Sequence, residues 1–147
     1  MSEDFPFVGS VSESASESTT TDENSLPLLT EYAWDFEQDK FLYDGNGNHI
    51  IVTGAEALEV WIYKALKTER YEHEAYSWSY GIELKPFIGK VMGIKERYSE
   101  LRRVIVECLM VNPYIKSIDK VTFHHKGTLV TCEITLTSVY GEVIVDV

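Results

Sequence analysis

Residues 94–147 read IKERYSELRRVIVECLMVNPYIKSIDKVTFHHKGTLVTCEITLTSVYGEVIVDV, and the spacing of their apolar residues changes partway along. Ile94, Tyr98, Leu101, Ile105, Cys108 and Leu109 recur at helical spacing, with Glu96, Arg97, Glu100 and Arg103 on the opposite side. This predicts an amphipathic helix from about Ile94 to Val111. Pro113 ends it, because the pyrrolidine ring disfavours helical backbone in the residue before it. Beyond Pro113 the period is two. Val121 and Phe123 alternate with Thr122 and His124; Val130, Cys132, Ile134 and Leu136 alternate with Thr131, Glu133, Thr135 and Thr137. Lys126-Gly127 supplies the turn between these strands. After Tyr140-Gly141 comes a last strand in which Val143, Val145 and Val147 share one face and Ile144 takes the other.

Toward the N-terminus, Leu58, Trp61, Ile62, Ala65 and Leu66 predict a second amphipathic helix, capped by Thr53 and packing one face inward. Between the helices, Lys67 to Gly89 is irregular and aromatic, with Tyr71, Tyr76, Trp78, Tyr80 and Phe87 among the breakers Gly81, Pro86 and Gly89. Buried ring packing is the commoner use of such a stretch, and a substrate lid is the alternative. Upstream, Trp34, Phe36 and Phe41-Leu42-Tyr43 are strand-like, and Asp44-Gly45-Asn46-Gly47-Asn48 is a turn leading to His49–Val52, so a β-hairpin is expected. Asp44, Asn46 and Asn48 also imitate the start of a calcium loop. His49 and Ala55 stand where that loop requires Gly and Glu, which favours a plain turn. The expected fold class is α+β: an N-terminal β-hairpin, two amphipathic helices and a C-terminal antiparallel sheet, in one domain over 26–147.

Charge separates that domain from what precedes it. The net charge is −11, and ten acids but no Lys or Arg occur before Lys40. From Lys40 onward, 14 acids face 13 basic residues, so the folded part is nearly neutral and offers no basic field for nucleic acid. Residues 1–25 read as a disordered, acidic, Ser/Thr-rich tail with little apolar area to offset ordering entropy. Phe5-Pro6-Phe7-Val8 is either an incidental part of that leader or a segment that docks on a neighbour. No apolar run approaches the roughly 20 residues of a membrane span. The start, MSEDFPFVGS, lacks the basic and apolar regions of a secretory signal, so assembly in a cytoplasm is expected. Cys108 and Cys132 are expected as reduced core thiols.

Little in the sequence suggests catalysis. Gly45-Asn46-Gly47-Asn48 lacks the Lys-Ser/Thr of a phosphate loop, and His49, His73, His124 and His125 lack metal-ligand spacing with cysteine. No cofactor, metal or catalytic residue is expected. A pair of carboxylates, as a glycosidase requires, is the one option to weigh, with Glu83 and Glu107 as its candidates. Acids at such positions are usually solvated.

Three runs carry a resemblance: ALEVWIYKALKTER (57–70), YSWSYGIELKPFIG (76–89) and LRRVIVECLMVNPYIKSI (101–118). They resemble XkdS-like tail proteins of PBSX-type prophages and, more distantly, the gene-25-type baseplate wedge proteins of contractile tails, the sheath initiator family. Thr68-Glu69-Arg70 looks like a shortened form of a family element that carries an added Gly. Tyr80-Gly81 matches its aromatic-Gly motif. The family's Glu-Pro-Arg falls on Asn112-Pro113-Tyr114, where only the proline survives. The resemblance implies a structural baseplate component of a phage tail or tail-like bacteriocin, found in that particle. Its implied partners are the tail sheath protein, baseplate wedge proteins, and tail tube or hub proteins. An alternating last strand (Val143, Ile144, Val145, Val147) would then extend a sheet into a sheath subunit, and proline at Val145 is expected to remove one donor from that ladder. A closing strand within the domain's own sheet is the alternative. A peptidoglycan-cleaving, lysozyme-like activity is the rival reading, disfavoured by the absence of positive charge toward an anionic wall.

Overall fold

A computed structural model describes residues 25–147; the acidic leader, with Phe5–Val8, lies outside the described residues. The chain runs β1 (Thr30–Tyr32), β2 (Trp34–Asp35), β3 (Lys40–Phe41), β4 (Ile51–Thr53), α1 (Ala55–Lys67), α2 (Ile94–Leu109), β5 (Ile115–Lys126), β6 (Leu129–Ser138) and β7 (Gly141–Asp146). The fold class is α+β, with a C-terminal antiparallel sheet in the order β5-β6-β7.

The sheet is built one-sided, and its alternation shows why. Across it, Ile118 pairs with Leu136 and Leu136 with Val143, while Val121 pairs with Ile134 and Ile134 with Val145. Successive side chains on a strand point to opposite faces, so these rows form one apolar face. Ile134, Leu136, Val143 and Val145 are buried there, against Leu58, Ile62, Ala65, Ile105, Cys108 and Leu109 of the helices. The other face carries Lys120, Thr135, Thr137, Glu142 and Asp146, with Leu129 and Ile144 as exposed apolar members. At about 25 cal/mol per Å² of apolar surface removed from water, this shared core is the main stabilising term.

The expected N-terminal hairpin is present around the 44–48 turn: Asp44 N donates to Asn48 O at 2.8 Å and Ile50 N to Leu42 O at 3.3 Å, with Tyr43 bridged to His49. Beyond it β4 pairs with β1, and β2 and β3 make a second, tight hairpin. Several other expectations are corrected. The N-cap of helix α1 is Gly54, at φ 65°, and not Thr53, so the helix starts without a side-chain capping hydrogen bond. It is buried on more than the predicted stripe: Ala57, Val60 and Tyr63 are also buried, because the N-terminal strands pack on it as well. Helix α2 stops at Leu109, and Ile94 at its start is exposed. The aromatic stretch divides: Tyr80 and Phe87 pack against the core, while Tyr71, Tyr76 and Trp78 stand in water.

The turn at Asp44 is a turn by its hydrogen bonds. The Asp44 carboxylate accepts from the backbone N–H groups of Asn46 at 2.8 Å and Asn48 at 2.9 Å. Those donors, Asn48 first, hold its pKa below the ordinary carboxylate value. The start of the domain is tethered by two tyrosines: Tyr114 donates its hydroxyl to Pro27 O at 2.7 Å, and Tyr140 Oη accepts from Leu29 N at 2.9 Å.

Among the described residues, no helix is long and apolar enough to cross a membrane. Cys108 is buried and Cys132 half-buried, both as free thiols. Burial pushes each up to about 11 from 9.0. Thiolate is the reactive form, so at pH 8 a disulfide reagent should label the folded protein about a hundredfold more slowly than the urea-unfolded chain. Comparable rates in the two states would contradict this burial. Because the folded pKa is the higher, the contribution of these thiols to stability is complete below pH 9 and is lost as pH rises through about 11.

Candidate functional site

The last strand is paired on one side only. Beyond the end of β7, Val147 and Cys132 exchange both backbone hydrogen bonds, at 2.7 and 2.9 Å. In an antiparallel ladder, hydrogen-bonded and non-hydrogen-bonded pairs alternate. Ile134–Val145 and Leu136–Val143 are therefore also hydrogen-bonded pairs, since the register runs without a shift. It follows that Val143, Val145 and Val147 spend their N–H and C=O groups on β6. The groups of Glu142, Ile144 and Asp146 point the other way, and among the described residues no strand pairs with that side. Of the four residues expected to carry the edge, Ile144 alone directs its backbone outward. The valines form the core face instead, with Val143 and Val145 buried and Val147 half-buried.

The opposite margin of the sheet is different in kind. β5 has two register shifts, between Ile115 and Ser117 and between Ile118 and Lys120. At the second, Asp119 accepts from Thr137 Oγ1 at 2.7 Å and from Ser117 Oγ at 2.8 Å. Bulges and charged residues such as Lys116 and Lys120 are how natural sheets block an edge.

The other expected positions gather into a clasp after α1. Ile82 N donates to Thr68 O at 2.9 Å and Arg70 N donates to Ile82 O at 2.8 Å, so 68–70 and 80–82 lie side by side. Gly81 is required there. Its φ is +97°, and a Cβ would sit 2.6 Å from Thr68 O. The Glu69 carboxylate accepts from Leu84 N and Lys85 N, both at 3.0 Å. Arg70 donates Nε to Gly81 O at 3.1 Å and reaches Glu107 on α2 at 3.5 Å, its side chain only 8% exposed. Tyr80 packs edge-on to Trp61 of α1, and burial, with Tyr76 beside it, pushes its hydroxyl up to about 12. Neither Gly81's role nor the pairing across this loop had a local signal beyond the glycine itself.

Asn112-Pro113-Tyr114 forms a third small unit. Asn112, buried, accepts from Tyr114 N through Oδ1 at 2.9 Å and turns the chain from α2 into β5. Tyr114 stacks on Tyr140 with centroids 6.0 Å apart. The uncharged residues flanking Pro113 thus serve the turn and the N-terminal tether.

The two carboxylates weighed for hydrolysis sit in different settings. Glu107 is exposed and lies between two guanidiniums, Arg70 at 3.5 Å and Arg103 at 3.2 Å, the setting of an ion pair. Glu83 is half-buried in the strand-like segment after Gly81. Among the described residues, no group of three His, Cys, Asp or Glu side chains is placed to hold a metal.

No curated protein matches the chain. The profile of the family described as contractile injection system sheath initiator matches residues 30–141, from β1 to the first residue of β7. A match over that span covers both helices, the clasp and strands β5 and β6, and the chain belongs to the contractile injection system sheath initiator family.

Proposed function

We propose that the protein is a structural baseplate subunit that starts the sheath by accepting a strand from a sheath subunit along the free side of β7. The observation that carries this reading is the one-sided pairing of β7, which leaves the backbone groups of Glu142, Ile144 and Asp146 directed outward. Added strands gain affinity from main-chain hydrogen bonds and specificity from alternate side chains. The family is one of tail components and not of enzymes, which agrees with a templating role. Sheath protein, wedge proteins and tube or hub proteins are the partners in this reading, within a phage tail or tail-like bacteriocin assembled in the host cytoplasm. The nearer likeness to XkdS-like proteins of PBSX-type prophages belongs to the same proposal.

Glu142 and Asp146 lie on the far face, on either side of Ile144. A partner strand that sets Lys or Arg opposite them, with an apolar residue beside Ile144, gains cross-strand contacts of about 0.2–1 kcal/mol each. Proline at Ile144 removes the central outward donor without touching the β6 ladder. Tails assembled with Ile144→Pro should show tubes without ordered sheath by electron microscopy, while the purified variant keeps its circular dichroism. Complete sheaths on that variant would refute strand addition. Deleting Glu142–Val147 is a poorer test, because it also removes Val143 and Val145 from the core.

A further inference from the structure

The loop held by the clasp carries a second surface. Trp78 is 82% exposed, Tyr71 60% and Tyr76 51%, an unusual display for three large rings within eight residues. With Tyr80, Glu69, Glu74 and His73 they line a cleft of about 290 Å³, His73 standing edge-on to Tyr76 at 5.7 Å. That volume is at the lower limit for small-molecule pockets, and suits one inserted side chain better than a cofactor. Tyr71 and Trp78 lie 5.7 Å apart at 50°, and Tyr76 and Tyr80 4.8 Å apart at 38°, so neither pair covers itself by flat stacking.

Elsewhere the fold covers ring faces with its own ammonium groups. Lys64 sits 5.1 Å from the Trp34 ring and 5.0 Å from that of Phe41, and Lys67 sits 5.1 Å from Tyr63. Among the described residues, no such cation covers Tyr71, Tyr76 or Trp78. The carboxylates give the sign of what fits. Glu69 is held in place by the N–H groups of Leu84 and Lys85, and Glu74 has no ion-pair partner among the described residues. Electron-rich ring faces beside two carboxylates attract a cation.

We propose that this cleft receives an arginine side chain from a neighbouring protein subunit. A guanidinium lies flat on a ring while its fork donates to a carboxylate, and it leaves water more readily than an ammonium. Both properties match a cleft with aromatic walls and acids at its margin. The inference uses none of the residues of the β7 edge and stands or falls apart from it.

The test is a titration of the full chain, with its tryptophan indole resonances assigned. The probes are Nα-acetylarginine amide, Nα-acetyllysine amide and the neutral isostere Nα-acetylcitrulline amide. The Trp78 signal should shift saturably with the arginine probe while Trp34 and Trp61 stay in place. Citrulline should bind about tenfold more weakly, and Glu74→Gln should weaken arginine binding severalfold. Trp78→Leu, at an exposed position, should leave the fold intact and abolish the shifts at the Tyr71 and Tyr76 rings. Equal binding of citrulline, tighter binding of lysine, equal shifts at all three indoles, or no saturation at the solubility limit of the arginine probe would each overturn the proposal.

Discussion

Val145→Pro is expected to destabilise the domain severely, whereas Ile144→Pro, one residue away, should leave its stability nearly unchanged. The two positions differ in where the backbone points. Val145 forms a hydrogen-bonded pair with the fully buried Ile134 on the central strand β6, and the Val145 side chain is 6% exposed. Proline there removes a ladder donor, forces its ring toward β6 and strips a valine from the core, for a loss of roughly 3 kcal/mol or more. Against a typical total of 5–15 kcal/mol this is a large share, and Tm should fall by roughly 10–20 °C. At Ile144 the N–H faces away from β6 and the side chain is 54% exposed. Proline is tolerated on an edge strand when its missing donor faces outward, and it holds Val143 in the extended conformation that residue already has. Tm should move by only a few degrees. Equal melting of the two variants would show that the pairing frame of β7 is other than the one described.

Gly81→Ala should open the clasp at a cost of about 3–5 kcal/mol. Positive φ alone costs an alanine about 1–3 kcal/mol, and the new methyl would meet Thr68 O at 2.6 Å and Arg70 N at 3.2 Å. These are backbone atoms that cannot rotate away, and they belong to the residues that hold the loop. Relieving the contact separates 68–70 from 80–82 and loses the Ile82–Thr68 and Arg70–Ile82 hydrogen bonds together. Amide exchange at Arg70 and Ile82 should accelerate well beyond the global change, and the denaturation midpoint should fall. Gly45→Ala is the control, because a Cβ there meets nothing within 4 Å, and its effect should stay within about 0.5 kcal/mol. A Gly81→Ala protein with unchanged exchange at Arg70 would show that the loop is held by other contacts.

What could be read from the sequence was what has a period. Both helices and the β5-β6-β7 series follow from apolar residues at helical or alternate spacing, as does the grouping of Val143, Val145 and Val147 on one face. Three kinds of feature had no such signature. The β1–β4 pairing joins strands of three residues separated by a small hairpin, too short for alternation to register. The clasp joins segments about a dozen residues apart through backbone groups, so only the glycine at 81 marks it. Exposure of Tyr71, Tyr76 and Trp78 depends on what packs over them, and composition says nothing of that. The terminal strand illustrates the difference. Alternation correctly grouped the valines, but proline at Val145 was expected to disable an outer edge. Its N–H in fact faces β6, because pairing parity rather than side-chain pattern decides which residues offer hydrogen bonds.

The unlike margins of the three-stranded sheet also bear on how copies of this chain treat one another. If both long sides accepted a strand, each subunit would dock β7 on the β5 of the next, and the protein would polymerise into ribbons by itself. The irregular backbone near Ser117 and Lys120, with Asp119 tied down by its neighbours, denies that second socket. Under the proposed strand addition, growth then has a polarity: the chain would serve as a first unit in a series but not as its own successor.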